Sequence, residues 1–395
     1  MEILSVKELV KQIRGVSYKP ADLHDGPDGA SVMLLRANNI DDGKINFDDV
    51  VYVDKKRVSP EQILQKGDVL ICASSGSKSL VGKAATVDFD REVTFGAFCK
   101  VVRPKVVENS DYISMFFQSP IYRRKISEVA IGANINNIRN EHIDSLQIKW
   151  PLIEQRKKDV VILTIIDSII RSRKEELRRM DELIKARFVE MFGTVDDNVF
   201  DYPVVRLGDY AKLQGGYAFK SKDFVTDGIP LVQIGNVNKD YLDWEVINAV
   251  PEAYLDRYRE FSLCDGDLVM AMTRPIIKSL NSVKVAKVSK RDVPCLLNQR
   301  VGRFVLSDSL DKLFLETLCK SDDFKDYVEK MSGNSLQPNI SSKQVEDYMI
   351  ILPPIDLQER FAVFVNQVDK SKVVVQKALD KAQLLFDSLM QKYFG

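Results

Sequence analysis

Lys66-Gly67-Asp68-Val69-Leu70 returns further along the chain as Asp265-Gly266-Asp267-Leu268-Val269. Gly-Asp followed by aliphatic residues is too common to mean much alone. Working outward, five more pairs recur in the same order at nearly the same offset, roughly 200 positions. Gly15-Val16-Ser17-Tyr18-Lys19 returns as Gly216-Tyr217-Ala218-Phe219-Lys220, and Leu34-Leu35-Arg36-Ala37-Asn38-Asn39-Ile40 as Leu231-Val232-Gln233-Ile234-Gly235-Asn236-Val237. Gly132 with Asn137-Ile138 returns as Gly333 with Asn339-Ile340, and Pro151-Leu152 with Gln155 as Pro354-Ile355 with Gln358. Met191-Phe192-Gly193 returns as Tyr393-Phe394-Gly395. A constant offset in constant order means an internal duplication. The period is far too long for a solenoid, whose repeats run about 20–50 residues.

Each copy has two parts. The first shows short β-rich runs, such as Val50-Val51-Tyr52-Val53 and Val69-Leu70-Ile71-Cys72, set between Gly, Asp, Asn and Ser turns. Helical stretches at 111–128 and 310–331 make the part mixed α/β. The Gly-Asp pairs read as structural hairpin turns.

The second part is helical. From Leu152 to Phe192 there is no Gly or Pro. Apolar residues fall at Leu163, Ile166, Ile170, Leu177, Met180, Ile184, Phe188 and Met191. The later stripe is Phe361, Val365, Val368, Val375, Leu379, Ala382, Phe386, Leu389 and Tyr393, spaced as a heptad seam. A helix of about 40 residues reaches about 60 Å. Such a stripe needs a partner. The nearest partner is the other copy, in an antiparallel coiled coil of pseudo-two-fold symmetry; homodimerisation is the alternative. The expected organisation is a globular domain at 1–150, a long helix at 151–193, a hinge at 194–203, a second domain at 204–353 and a second helix at 354–395.

Composition narrows function. Lys plus Arg and Asp plus Glu each number 57, so a globally basic nucleic-acid binder is excluded. Only His24 and His142 are present, too few for multi-histidine catalysis or metal binding. The five cysteines form no Cys-x-x-Cys pair and read as buried free thiols. The N-terminal residues lack a signal-peptide core, and the most apolar run, 160–170, is too short to span a bilayer. A cytoplasmic chain with no membrane partner is expected.

Catalytic motifs are missing. There is no glycine-rich S-adenosylmethionine loop and no Asn-Pro-Pro-aromatic strip. Gly76-Ser77-Lys78-Ser79 lacks phosphate-loop spacing, and Asp323-Phe324-Lys325 lacks the upstream half of a nuclease motif. Charge, by contrast, is segregated. Between Arg274 and Arg303 eight basic residues face Asp292 alone, a net +7; Lys78 to Lys105 holds six basic and three acidic residues. Local positive charge suits phosphates, while Arg, Asn and Gln suit base edges. Such side chains cluster at Arg36, Asn38 and Asn39; at Gln233, Asn236 and Asn238; at Asn134, Asn136 and Asn137; and at Asn298, Gln299 and Arg300. Asn and Asp also build turns, and strand lysines often only meet solvent.

The whole arrangement resembles the DNA specificity subunit of type I restriction–modification systems. The residues carrying the resemblance are the two Gly-Asp-aliphatic strands, Ser332-Gly333-Asn334-Ser335-Leu336-Gln337-Pro338-Asn339-Ile340-Ser341, Leu352-Pro353-Pro354-Ile355 leading to Gln358, and the two long helices. The first half departs with Trp150-Pro151-Leu152 and Gly132-Ala133-Asn134-Ile135. The resemblance implies two target recognition domains, each reading half of a bipartite, asymmetric DNA site. It implies helices that set the spacing and dock two modification subunits, which methylate adenine N6, with restriction subunits joining them. S-adenosylmethionine, and ATP with Mg, would sit on those partners; this chain would hold no cofactor, metal or catalytic residue.

The expected contacts with double-stranded DNA are Arg36, Asn39, Lys78 and Lys83 in the first domain, and Arg274, Lys278, Asn298, Gln299 and Arg300 in the second. The seam would rest on Leu163, Ile166, Ile170, Leu177, Phe361, Val368, Leu379 and Phe386. The competing reading is a coiled-coil scaffold whose globular domains bind proteins.

Overall fold

Gly67 and Gly266 take left-handed φ values of +91° and +86°, which glycine adopts without steric cost. Each hands the chain to an aspartate that starts a buried strand, Val69–Cys72 and Leu268–Ala271. Neither turn closes a simple hairpin, contrary to the sequence expectation. Val69–Cys72 instead lies between Ala84–Thr86 and Cys99–Pro104. The computed structural model that shows this describes every residue except Met1, Asp42, Lys78, residues 130–135 and Asn334. It forms two compact units, Met1–Lys174 with Gln376–Gly395, and Glu175–Val375.

In the first unit a four-stranded antiparallel sheet runs Ala84–Thr86, Val69–Cys72, Cys99–Pro104, Val10–Arg14. In the second, Val285–Lys287, Leu268–Ala271, Val301–Leu306 and Ala211–Gly215 follow the same order. Each unit also pairs two strands in parallel: Ser31–Leu35 with Val93–Phe95, and Ile229–Val232 with Leu296–Leu297. Alternation places Val69, Ile71 and Val102 against Phe116 and Tyr122 on one face, and Leu70 and Val101 against Leu35 and Phe95 on the other.

The helical stretches are interrupted where their sequences dictate. Pro120 opens a second helix, Pro120–Val129, after Ser110–Gln118. Asp311 and Ser321 cap Lys312–Cys319 and Asp322–Ser332 through their side chains. Two helices of 40 residues, Ile153–Phe192 and Ile355–Phe394, follow the globular parts.

Within the first unit, buried Leu163 shares a core with Met390 and Phe394, and Phe386 packs against it; Ile166 and Ile170 are buried. Within the second, Phe361 is fully buried between Phe188 and Phe192, each ring 5.5 Å away, and Asp181 pairs with Lys372 at 2.7 Å. Val368 is also buried, while Leu177, Leu379 and Phe386 are half-buried. The stripe residues nearest the globular parts anchor in those cores as well as on helix, because the Phe361 core includes Phe314 and Leu315.

Helix entry corrects one repeat match. Gln358, fully buried, donates to the carbonyl of Pro353 at 2.8 Å. Its structural counterpart is Arg156, not Gln155, because Arg156 donates to the carbonyl of Pro151 at 2.6 Å. Four cysteines are buried, but Cys264 is exposed. Among the described residues no helix is long and apolar enough to cross a membrane, and no three His, Cys, Asp or Glu side chains gather as metal ligands.

Candidate nucleic-acid interface

The parallel strands of each unit end side by side, and a short turn follows the later one. In the first unit this is turn 96–98. Val16 N donates to Phe95 O at 2.8 Å, Gly96 N to Leu35 O at 2.9 Å, Cys99 N to Gly96 O at 2.8 Å and Ala73 N to Phe98 O at 2.9 Å. Turn 298–300 of the second unit has the same four ties. Tyr217 N donates to Leu297 O at 3.0 Å, Asn298 N to Val232 O at 3.1 Å, Val301 N to Asn298 O at 3.2 Å and Met272 N to Arg300 O at 2.8 Å.

The repeated Gly15 and Gly216 are explained by this packing. A Cβ on Gly15 would lie 2.0 Å from the carbonyl oxygen of Gly96, and one on Gly216 would lie 2.3 Å from that of Asn298. Beside turn 96–98 is an open cleft of about 720 Å³ lined by Tyr18, Arg36, Asn38, Ser75, Gly76 and Phe98. Its size suits a few inserted groups of a ligand.

Several expected contact residues have other work. Asn39 is fully buried: its Oδ1 accepts from Arg36 N at 2.8 Å and its Nδ2 donates to the carbonyls of Asn46 and Asp49 at 3.2 and 3.1 Å. It brackets a loop and has no free edge for a base. Asn298 is also buried, so its backbone shapes the turn while its side chain stays inside. Arg36 remains at the cleft, with Nη2 2.8 Å from Asp49 Oδ2. Lys78 lies outside the described residues. Lys83 lines a separate hollow with Arg123, Asp167 and Arg171.

Four cations of the first basic window, Arg91, Lys100, Arg103 and Lys105, have partners within the protein. Arg91 stacks 3.8 Å from the Phe47 ring centroid. Lys100 is buried and donates to Asn140 Oδ1 at 2.6 Å; burial, then Arg14, hold its pKa below the usual lysine range. Arg103 is bound to Asp68, and Lys105 donates to Lys7 O at 2.8 Å. Counting charges in sequence cannot separate cations facing solvent from cations holding loops.

The second window divides. Arg274, Gln299 and Arg300 are exposed where Leu268–Ala271 ends and turn 298–300 lies, and Lys278 is exposed at the start of the short helix Lys278–Leu280. Lys284 is half-buried and donates to Ile234 O at 3.3 Å; burial, then Arg274, lower its pKa. Arg303 is tied to Asp267, Gln214 and the carbonyl of Ser262. Lys287 pairs opposite Leu268, at the far end of the strand. Arg274 and Arg300 hold left-handed φ values of +48° and +71°. For residues other than glycine that costs about 1–2 kcal/mol, and such strain concentrates at functional sites.

Two features escaped the sequence reading. Phe98 is 68% exposed at the tip of its turn. Tyr217 joins Phe219, Tyr254 and Tyr258 in an aromatic group, with Tyr217 and Tyr258 centroids 4.5 Å apart. Hydrogen bonding of the Tyr258 hydroxyl to Tyr217, then burial, raises the Tyr258 pKa. Setting Gly96-Ala97-Phe98 under Asn298-Gln299-Arg300 in the repeat would have found the first.

Residues 34–179 and 201–382 match the family described as type I restriction modification DNA specificity domain. The chain belongs to this family. Each matched segment of the specificity chain holds one of the two turns. It is 27% identical over 414 residues to the type I restriction enzyme EcoKI specificity subunit of Escherichia coli, covering 99% of this chain and 88% of that one. It is 25% identical over 402 residues to the MjaVIII specificity subunit of Methanocaldococcus jannaschii, covering 96% of this chain and 90% of that one. The crystal structure of the type I restriction–modification S subunit from M. genitalium aligns with a TM-score of 0.53 at 13% identity, over 100% of this chain and 96% of that one. That likeness supports the fold.

Proposed function

We propose that this specificity-family chain is the DNA-sequence-specificity subunit of a type I restriction–modification complex, with no catalytic role of its own. Each globular part reads one half of a bipartite, asymmetric site. The observation that carries this reading is the duplicated turn: two like scaffolds present different side chains at matched positions, Ala97 and Phe98 against Gln299 and Arg300. A site with two unlike halves needs that combination.

The long helices act as an antiparallel coiled-coil spacer of pseudo-two-fold symmetry. Support comes from the direction of pairing inside each unit. Leu163 meets Met390 and Phe394 while Asp167 and Arg171 neighbour Phe386; Phe192 meets Phe361 while Asp181 meets Lys372. The helices also dock two modification subunits. Val161, Ile165 and Ile169 on one helix, and Val373, Val374 and Leu384 on the other, are 43–72% exposed, and exposed apolar patches mark protein contacts. The modification subunits bring S-adenosylmethionine and methylate adenine N6, and base flipping falls to them. Restriction subunits bring ATP with Mg.

Arg274, Lys278, Gln299 and Arg300 contact DNA in the second domain, and Arg36 at its cleft in the first. Lys78 retains its expected phosphate role, and Lys83 anchors DNA only where it passes the second hollow. A salt-dependent band shift of the chain assembled with modification subunits tests the reading. Binding to specific DNA that weakens steeply with salt supports it; absence of DNA binding overturns it in favour of a protein scaffold.

A further inference from the structure

We propose that Phe98 and Arg300 are the base-discriminating residues of the two matched turns, one selecting thymine and the other guanine. The proposal rests on the specificity-subunit reading and deepens it. The two residues are structural equivalents. Each carbonyl accepts the amide that follows a buried central strand, from Ala73 at 2.9 Å and from Met272 at 2.8 Å. The backbone tip is thus held at both ends, and only the side chain differs.

Folding leaves the Phe98 ring unexplained and engages only the Nη1 edge of Arg300, with Thr273 and Asn339. Phe98 is 68% exposed, and its ring meets no other aromatic ring among the described residues, although it borders the 720 Å³ cleft. A phenylalanine there leaves apolar surface in water unless a ligand covers it. The cleft is also lined by Ser75 and by Arg36 and Asn38, which are both held by Asp49; these are polar groups of the kinds that meet base edges and phosphates around a thymine methyl. Arg300 holds a strained φ of +71°. The Asn339 amide, oriented so that its nitrogen donates to Thr273 Oγ1 and Met272 O, accepts from Arg300 Nη1 at 3.0 Å. That contact fixes one edge of the guanidinium. The remaining donors form the fork that matches guanine O6 and N7. Neighbouring Arg274, also exposed, supplies charge for the backbone.

The experiment compares methylation by the assembled complex on a library randomised across its site. Arg300→Ala is expected to relax one guanine in one half-site by roughly ten- to a hundredfold, leaving the other half unchanged. Phe98→Ala is expected to relax one thymine in the opposite half. Replacing that thymine by deoxyuridine, which removes one methyl group, should cost the unaltered complex about fourfold and cost Phe98→Ala nothing. Circular dichroism melting checks that both variants fold. Uniform weakening on all sequences, or unchanged selectivity, overturns the assignment while the specificity reading stands. Loss of any sequence preference by the unaltered complex would instead remove the reading itself.

Discussion

Asp68 grips Arg103 by two hydrogen bonds, Arg103 Nε to Oδ1 at 2.8 Å and Nη2 to Oδ2 at 2.7 Å, with the aspartate side chain 1% exposed. The same carboxylate accepts the Gln65 amide at 2.9 Å, so one side chain closes the turn and ties it to a strand. Asp267 and Arg303 repeat the pairing more loosely, at 3.4 Å and 20% exposure. Removing a buried partner strands the other charge. Asp68→Ala should therefore cost about 3–5 kcal/mol of stability, and Asp267→Ala about 1 kcal/mol. Chemical denaturation of the two variants measures both; equal losses would contradict the burial argument.

Asn39 and Asn236 are a second matched pair. Asn236 Oδ1 accepts from Gln233 N at 3.0 Å, and its Nδ2 donates to the carbonyls of Asp243 and Val246 at 2.9 and 2.8 Å. Truncating either to Ala leaves buried backbone groups unpaired, at about 2–3 kcal/mol. Melting temperature should fall, while the DNA sequence preferred by the surviving complex stays the same.

The fold was legible because duplication amplifies weak signals. Gly15 and Gly216, or Asp68 and Asp267, carry little information singly. Their spacing carries much more, because one scaffold built twice needs glycine and aspartate at the same points. The contact surface was less legible. Lys100, Arg103 and Arg303 look in sequence like Arg274 and Lys278, yet the first three hold loops and strands. Which cation faces solvent depends on tertiary partners such as Asn140 and Asp68, up to about 40 residues away. Phe98 is hard to pick out in sequence, because an aromatic residue following Phe95 suggests core.

Glycine at position 216 should be irreplaceable. Gly216→Ala brings a methyl group 2.3 Å from the Asn298 carbonyl oxygen and 2.5 Å from that of Leu297, both backbone atoms. Turn 298–300 must then move. Binding should fall at least tenfold, since displacements near 1 Å at a recognition site have large effects. Titration with DNA altered in one half-site at a time would place the loss in one half.

Phosphate and structural cations should separate in salt titrations. Arg274→Ala and Lys278→Ala should each reduce the slope of log K against log salt by about 1. Lys100→Met should leave the slope unchanged, because its ammonium is engaged with Asn140.

The helices give a paired prediction. Ile166 is 8% exposed and Ile165 is 54% exposed. Ile166→Asn should destabilise the chain by about 2–4 kcal/mol through burial of an unpaired amide. Ile165→Asn should leave stability nearly unchanged yet weaken assembly with modification subunits in size-exclusion chromatography. Leu379→Asn, at a half-buried position, should fall between them.

The central claim is that one chain reads two unlike half-sites held at a fixed distance. Mapping methylated adenines across the genome of cells carrying this chain with its modification subunits tests it most directly. The account predicts one motif, made of two short, different halves separated by a gap of constant length. A contiguous motif, a variable gap, or methylation unchanged when the chain is deleted would contradict it.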